Sequence, residues 1–158
     1  MAIMEHERKF LISDRSVVAG LSGTRIVQGY LLSDRDRSLR VRLTDNSGLL
    51  TLKGARKGAS RVEMEAYLDQ DLAEQLLRMT PALVEKTRFP LLFDGNLWDV
   101  DVFEGANLGL VVAEIELERL DDLQNLVVPS WCTSEVTDDE RYYNESLARR
   151  PFSTWNRS

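Results

Sequence analysis

Charged side chains recur at every second position in segment after segment of this chain, and a β-strand carries every second side chain on one face. Leu39-Arg40-Val41-Arg42-Leu43 sets Arg40 and Arg42 against three aliphatic residues. Thr51 and Lys53 oppose Leu50 and Leu52, and Arg61, Glu63 and Glu65 oppose Val62, Met64 and Ala66. Lys86 and Arg88 share a face. Asp99, Asp101 and Phe103 oppose Trp98, Val100 and Val102, and Glu114, Glu116 and Glu118 oppose Ala113, Ile115 and Leu117. Near the N-terminus, Glu5, Glu7 and Lys9 alternate with His6, Arg8 and Phe10.

The ordinary place for the polar face of such a strand is water. These faces differ from ordinary ones in two ways: they are almost purely ionisable, and they are sorted by sign. Arg40, Arg42 and Lys53 are cationic, as are Lys86 and Arg88, whereas Glu114, Glu116 and Glu118 are anionic. Like charges two apart on a strand repel unless something of opposite sign lies between them. If the charged faces point into a lumen and the apolar faces lie outside beneath helices, both signs have a partner. Carboxylates hold a hard divalent cation through oxygen, and Lys and Arg hold phosphate oxygens. A metal-complexed polyphosphate presents both charges at once.

Eight strands are expected, at 3–12, 25–32, 38–44, 48–54, 60–68, 83–92, 96–103 and 110–118. Asp45-Asn46-Ser47-Gly48 and Asp94-Gly95-Asn96 are hairpin turns. Hairpins make neighbours antiparallel, and eight antiparallel strands remove their edges by closing into a barrel. The expected class is therefore α+β and β-dominated: a closed eight-stranded antiparallel barrel with a few flanking helices. Helices are expected at 69–79, 121–127 and 139–148, with a shorter one around 14–21. Four scattered prolines and the lack of repeats or linkers imply one domain over 1–158, its tail 151–158 loosely held unless Phe152 and Trp155 pack back.

Composition removes several function classes. A net charge of −6 and a pI near 4.9 disfavour nonspecific nucleic-acid binding, which needs a basic face. One histidine, His6, and one cysteine, Cys132, cannot close a Cys/His zinc shell. No apolar run approaches the roughly 20 residues that cross a bilayer. The charged first nine residues do not read as a signal peptide. Together with the lone cysteine, this places the expected location in the cytoplasm.

Glu5-His6-Glu7-Arg8-Lys9 fits the Glu-x-Glu-x-Lys signature of the CYTH superfamily, also called the triphosphate tunnel metalloenzymes. The chain resembles that family in further stretches in the same order: Gln28 to Leu31, Leu39 to Arg42, Thr51 to Gly54, Arg61 to Glu65, Val84 to Arg88, Trp98 to Gly105, Ala113 to Glu118 and Glu135 to Ala148. The resemblance spans nearly the whole chain, and its nearest kind is the short bacterial inorganic triphosphatase.

The resemblance implies an eight-stranded tunnel in which Glu5 and Glu7, with Glu114 and Glu116, ligate Mg²⁺ or Mn²⁺. Glu118 continues that face toward the mouth, with a surface charge as its alternative. Lys9, Arg40, Arg42, Lys53, Lys86 and Arg88 would grip phosphate, with Arg61 extending the basic wall. Glu63, Glu65 and Asp101 would orient those cations or a water. Tyr30 would stand near Lys9 and set its position, or be a plain barrel tyrosine.

The expected reaction is hydrolysis of tripolyphosphate, with ATP and thiamine triphosphate as further substrates to test. The alternatives are a class IV-type adenylyl cyclase and a non-enzymatic polyphosphate- or nucleotide-binding module. No membrane partner is expected, and a homodimer is left open. His6, Cys132, Trp98 and Trp131 read as structural residues. Tyr142, Tyr143 and Leu147 read as the packing side of the last helix, with Glu140 and Arg141 near a tunnel mouth.

Overall fold

The computed structural model describes residues 2–3, 6–57 and 60–155. Ten strands occur among them: β1 (Ala2–Ile3), β2 (His6–Ile12), β3 (Thr24–Ser33), β4 (Ser38–Leu43), β5 (Gly48–Lys57), β6 (Ser60–Leu68), β7 (Leu83–Phe93), β8 (Asn96–Phe103), β9 (Val111–Leu117) and β10 (Cys132–Glu135). The α-helices are α1 (Gln70–Arg78), α2 (Leu120–Gln124) and α3 (Asn144–Arg149). A 3₁₀ turn at Arg15–Val18 stands where the short helix around 14–21 is expected. No helix among the described residues is long and apolar enough to cross a membrane.

One sheet holds all ten strands in the order β1-β6-β5-β4-β3-β7-β8-β9-β2-β10, antiparallel throughout. β1 pairs with β6 near one end of this order and β2 with β9 near the other. Yet Ile3 and His6 are three residues apart, a reach of roughly 10 Å even when extended. The sheet must therefore roll until its two ends approach.

The expected closed eight-stranded barrel is corrected in two respects. Among the described residues no ladder joins β6 to β2 or β10, so hydrogen bonds do not close the sheet. The strand expected at 3–12 is divided, one part serving each edge. β10 adds a short, irregular rung along β2.

The inverted polarity is visible in the packing. The outer faces of β2, β8 and β9 put Phe10, Trp98, Val100, Ala113 and Ile115 into one apolar cluster, which Val18 and Leu123 cover. On the opposite side Val41 is fully buried with Ala73 and Leu77 of α1. α1 forms there because Asp69 caps it, accepting from the Leu72 amide at 2.8 Å, while its apolar stripe faces the sheet.

A third cluster lies on the inner face. Val84, Phe103 and Val112 extend the charged rows of β7, β8 and β9 and meet Leu147 and Ala148 of α3. The lumen is thus ionic along part of its length and filled with apolar side chains where α3 packs.

The last expected helix is broken. Asp139 caps a 3₁₀ turn at Glu140–Tyr142, Tyr143 is extended with ψ 138°, and α3 starts afresh at Asn144. Beyond it the tail is packed rather than loose as far as Trp155. The Phe152 amide donates to Asn107 Oδ1 at 2.8 Å, and the Trp155 ring meets Tyr142 and Phe152 edge-on at 5.1 Å each. At the β7–β8 hairpin, Asp94 (φ 50°) and Gly95 (φ 76°) supply the two positive φ values that a tight two-residue turn requires.

Candidate active site

Strand register carries the charged rows around one cavity of about 300 Å³. In the β4–β5 and β5–β6 ladders Arg40 faces Thr51, Thr51 faces Glu65, and Lys53 faces Glu63. In the β2–β9 ladder Glu7 faces Glu116 and Lys9 faces Glu114. Arg40, Arg42, Lys53 and Arg88 therefore line the cavity together with Glu7, Glu114 and Glu116 on one wall and Glu63 and Glu65 on another.

Arg42 Nε donates to Gln28 Oε1 at 3.2 Å, and Gln28 Nε2 donates to Tyr30 Oη at 3.2 Å. Gln28 is fully buried and thus ties Arg42 to Tyr30. Burial, then the charges of Arg40 and Arg88, lower Arg42 to about 10. Burial raises Tyr30, against the charges of Arg40 and Arg42. Arg40 reaches Thr51 Oγ1 at 3.4 Å, and its buried Nε has no hydrogen-bond partner.

Lys9 is almost fully buried and lies 3.6 Å from Glu114. Burial raises Glu114, but Lys9, a hydrogen bond with Glu7 and the charges of Lys86 and Arg88 together outweigh it, and the carboxyl is lowered. The tyrosine ring facing Lys9, at 5.4 Å, is Tyr143. Tyr30 lines the same cavity and is tied to Gln28, under the charges of Arg40 and Arg42.

Behind the wall is a buried ion cluster. Lys86 is fully buried and does not line the cavity. Its Nζ donates to Asp101 Oδ2 at 2.8 Å and to Asn144 Oδ1 at 3.0 Å. Arg88 grips the same carboxylate, Nε to Oδ1 at 2.7 Å and Nη2 to Oδ2 at 2.9 Å. Burial lowers Lys86 to about 8, with Asp101 opposing. Burial would raise Asp101, but the two cations hold it well below the usual carboxylate range. Arg88 is raised because its bonds to Asp101 and the charges of Asp101, Asp99 and Glu114 together outweigh its own burial.

Sequence reasoning and structure diverge at the margins of the site. Glu118 follows the end of β9, is exposed and is not among the residues lining the cavity, the position of its surface-charge alternative. Glu5 and the side chain of Arg61 lie outside what the structure describes. Ser38, Tyr143, Asn144 and Glu145 line the cavity without having been expected there. The last three arrive because the break at Tyr143 turns the start of α3 inward.

The CYTH domain pattern matches residues 4–150. The chain belongs to the CYTH family. An inorganic triphosphatase from Acetivibrio thermocellus is 38% identical over 153 residues, covering 96% of this chain and 97% of that one. An inorganic triphosphatase from Nitrosomonas europaea is 38% identical over 147 residues, covering 91% and 96%. The crystal structure of an inorganic triphosphatase superposes with a TM-score of 0.71 at 35% identity, covering 92% of this chain and 95% of that one. An adenylyl cyclase candidate from Hippeastrum, described as having dominant triphosphatase activity, shares the fold at 15% identity. Its TM-score is 0.53, and 77% of this chain and 83% of that one are covered.

Whether this CYTH site suits a divalent metal is a question of donor chemistry. Among the described residues no three acidic, His or Cys side chains already converge on one point. Glu7, Glu114 and Glu116 nonetheless supply oxygen donors from adjacent strands, the ligand type that Mg²⁺ and Mn²⁺ prefer.

Proposed function

We propose that this chain is a divalent-metal-dependent triphosphatase that hydrolyses inorganic tripolyphosphate to pyrophosphate and phosphate. One observation carries the reading: the cavity walls are ionised with both signs, and among the described residues the only aromatic rings on them are Tyr30 and Tyr143. A polyanion fits such a wall, whereas a nucleobase or thiazolium ring finds no apolar slot. The names of the two relatives at 38% identity support the same activity.

In this reading Arg40, Arg42, Lys53 and Arg88 hold the phosphate oxygens, with Lys9 at the boundary between cationic and acidic walls. Glu7, Glu114 and Glu116 hold Mg²⁺ or Mn²⁺ with Glu5. The bound ion supplies charge neutralisation and a more acidic water. Asp101 and Lys86 fix the orientation of Arg88. Glu63 orients Lys53, 3.9 Å away, and Glu65 orients a water. Water attacks the terminal phosphorus, the anhydride P–O bond breaks, and pyrophosphate leaves. Catalysis is positioning together with neutralisation of charge spread over the phosphoryl oxygens. The rolled sheet acts as the tunnel, closed around its ligand when loaded.

The test is to incubate the protein with Mg²⁺ or Mn²⁺ and, separately, tripolyphosphate, ATP and thiamine triphosphate, measuring phosphate and cyclic AMP. Preferential phosphate release from tripolyphosphate supports the proposal. Cyclic AMP from ATP would replace it with a cyclase, and binding without turnover would leave a polyphosphate-binding module.

A further inference from the structure

We infer that Asn144 is a phosphate-binding residue, its amide fixed by Lys86 so that the NH₂ group faces the polyphosphate. The inference rests on the triphosphatase reading and adds a ligand on a helix, outside the strand rows. The fully buried ammonium of Lys86 can only donate, so the Asn144 atom 3.0 Å away must be the carbonyl oxygen. That settles the orientation of the amide.

Lys86 itself does not reach the cavity, but Asn144 lines it beside Arg88 and Tyr143. The end of the amide away from Lys86 is therefore the end toward the lumen. No hydrogen bond from Asn144 Nδ2 is found among the described residues. A neutral group with two donors complements the cationic wall: it binds phosphate oxygen without adding to the repulsion among Arg40, Arg42 and Arg88.

Retention of α3 does not depend on this contact. Leu147 and Ala148 are buried in the inner apolar cluster, and Arg149 Nη2 donates to the Ser33 carbonyl at 2.9 Å. Asn144→Asp keeps an acceptor for Lys86 and removes both donors. Asn144→Ala removes the donors without adding a charge.

The experiment is calorimetric titration of metal-free protein with tripolyphosphate, with a thermal melt of each variant. Both variants should bind roughly 10- to 100-fold more weakly than wild type, the loss expected for a hydrogen bond to a charged group. Binding within twofold of wild type in both overturns the inference. So does a loss confined to Asn144→Asp, since charge repulsion alone would explain it. If Asn144→Asp does not fold, Asn144→Ala decides by the same threshold. Wild-type protein that binds no tripolyphosphate would instead remove the functional reading itself.

Discussion

Arg88 holds Asp101 in a two-point fork, Nε to Oδ1 at 2.7 Å and Nη2 to Oδ2 at 2.9 Å, with the carboxylate almost fully buried. Lys86 bonds the same carboxylate from deeper in the wall. One anion thus stabilises two cations. Asp101→Asn should destabilise the protein by about 3–5 kcal/mol, because it strands buried positive charge. Urea denaturation checks this, and a loss under about 1 kcal/mol would show that the cluster is not electrostatically coupled.

Lys86 gives a pH signature. Its folded pKa is lowered to about 8 from 10.5, so between those values the unfolded chain holds a proton that the folded chain has lost. Stability from this group therefore rises as pH increases across that window, by up to about 3 kcal/mol. Lys86→Met should remove that rise. The readout is the difference in unfolding free energy between wild type and variant at pH 7.5 and pH 10, and identical pH dependence would contradict the burial of a charged Lys86.

The apolar layer outside the sheet is a true core. Trp98 is fully buried against Phe10, with ring centroids 5.8 Å apart, and faces away from Asp99. Trp98→Ala should cost about 3–5 kcal/mol and leave the KM for tripolyphosphate within twofold. A KM shift without loss of stability would place Trp98 on the wrong side of the wall.

Much of this site is legible from alternation alone. Arg40 and Arg42, or Glu114 and Glu116, announce their shared face because a strand has a period of two, and the packing of Val41 and Ile115 shows which face is outside. The α3 contribution is not legible that way. Tyr143, Asn144 and Glu145 enter the cavity through a backbone break after Tyr142, in a stretch whose composition is uniformly helical. Lys86 and Arg88 alternate identically, yet one is behind the wall and the other on it. That difference arises from Asp101 and Asn144, which sequence spacing cannot place. Gln28 carries a faint signal, two residues before Tyr30 on the same face.

The acidic wall should matter for turnover and not for folding. Glu7→Gln and Glu116→Gln should each reduce metal-dependent tripolyphosphate hydrolysis by at least about a hundredfold, as for loss of transition-state charge stabilisation. The empty protein should keep its melting temperature, since each change removes one of two carboxylates paired across β2 and β9. Turnover near wild type in both variants would remove them from the site.

The measurement closest to the central claim is the paired stability and affinity of Arg42→Gln. Arg42 lies inside the rolled sheet among like charges that, with burial, lower its pKa to about 10. Taking its charge away should raise the melting temperature of the empty protein and weaken tripolyphosphate binding at least about tenfold. A variant that melts lower and binds as wild type does would mean that the cationic rows are not waiting for a polyanion.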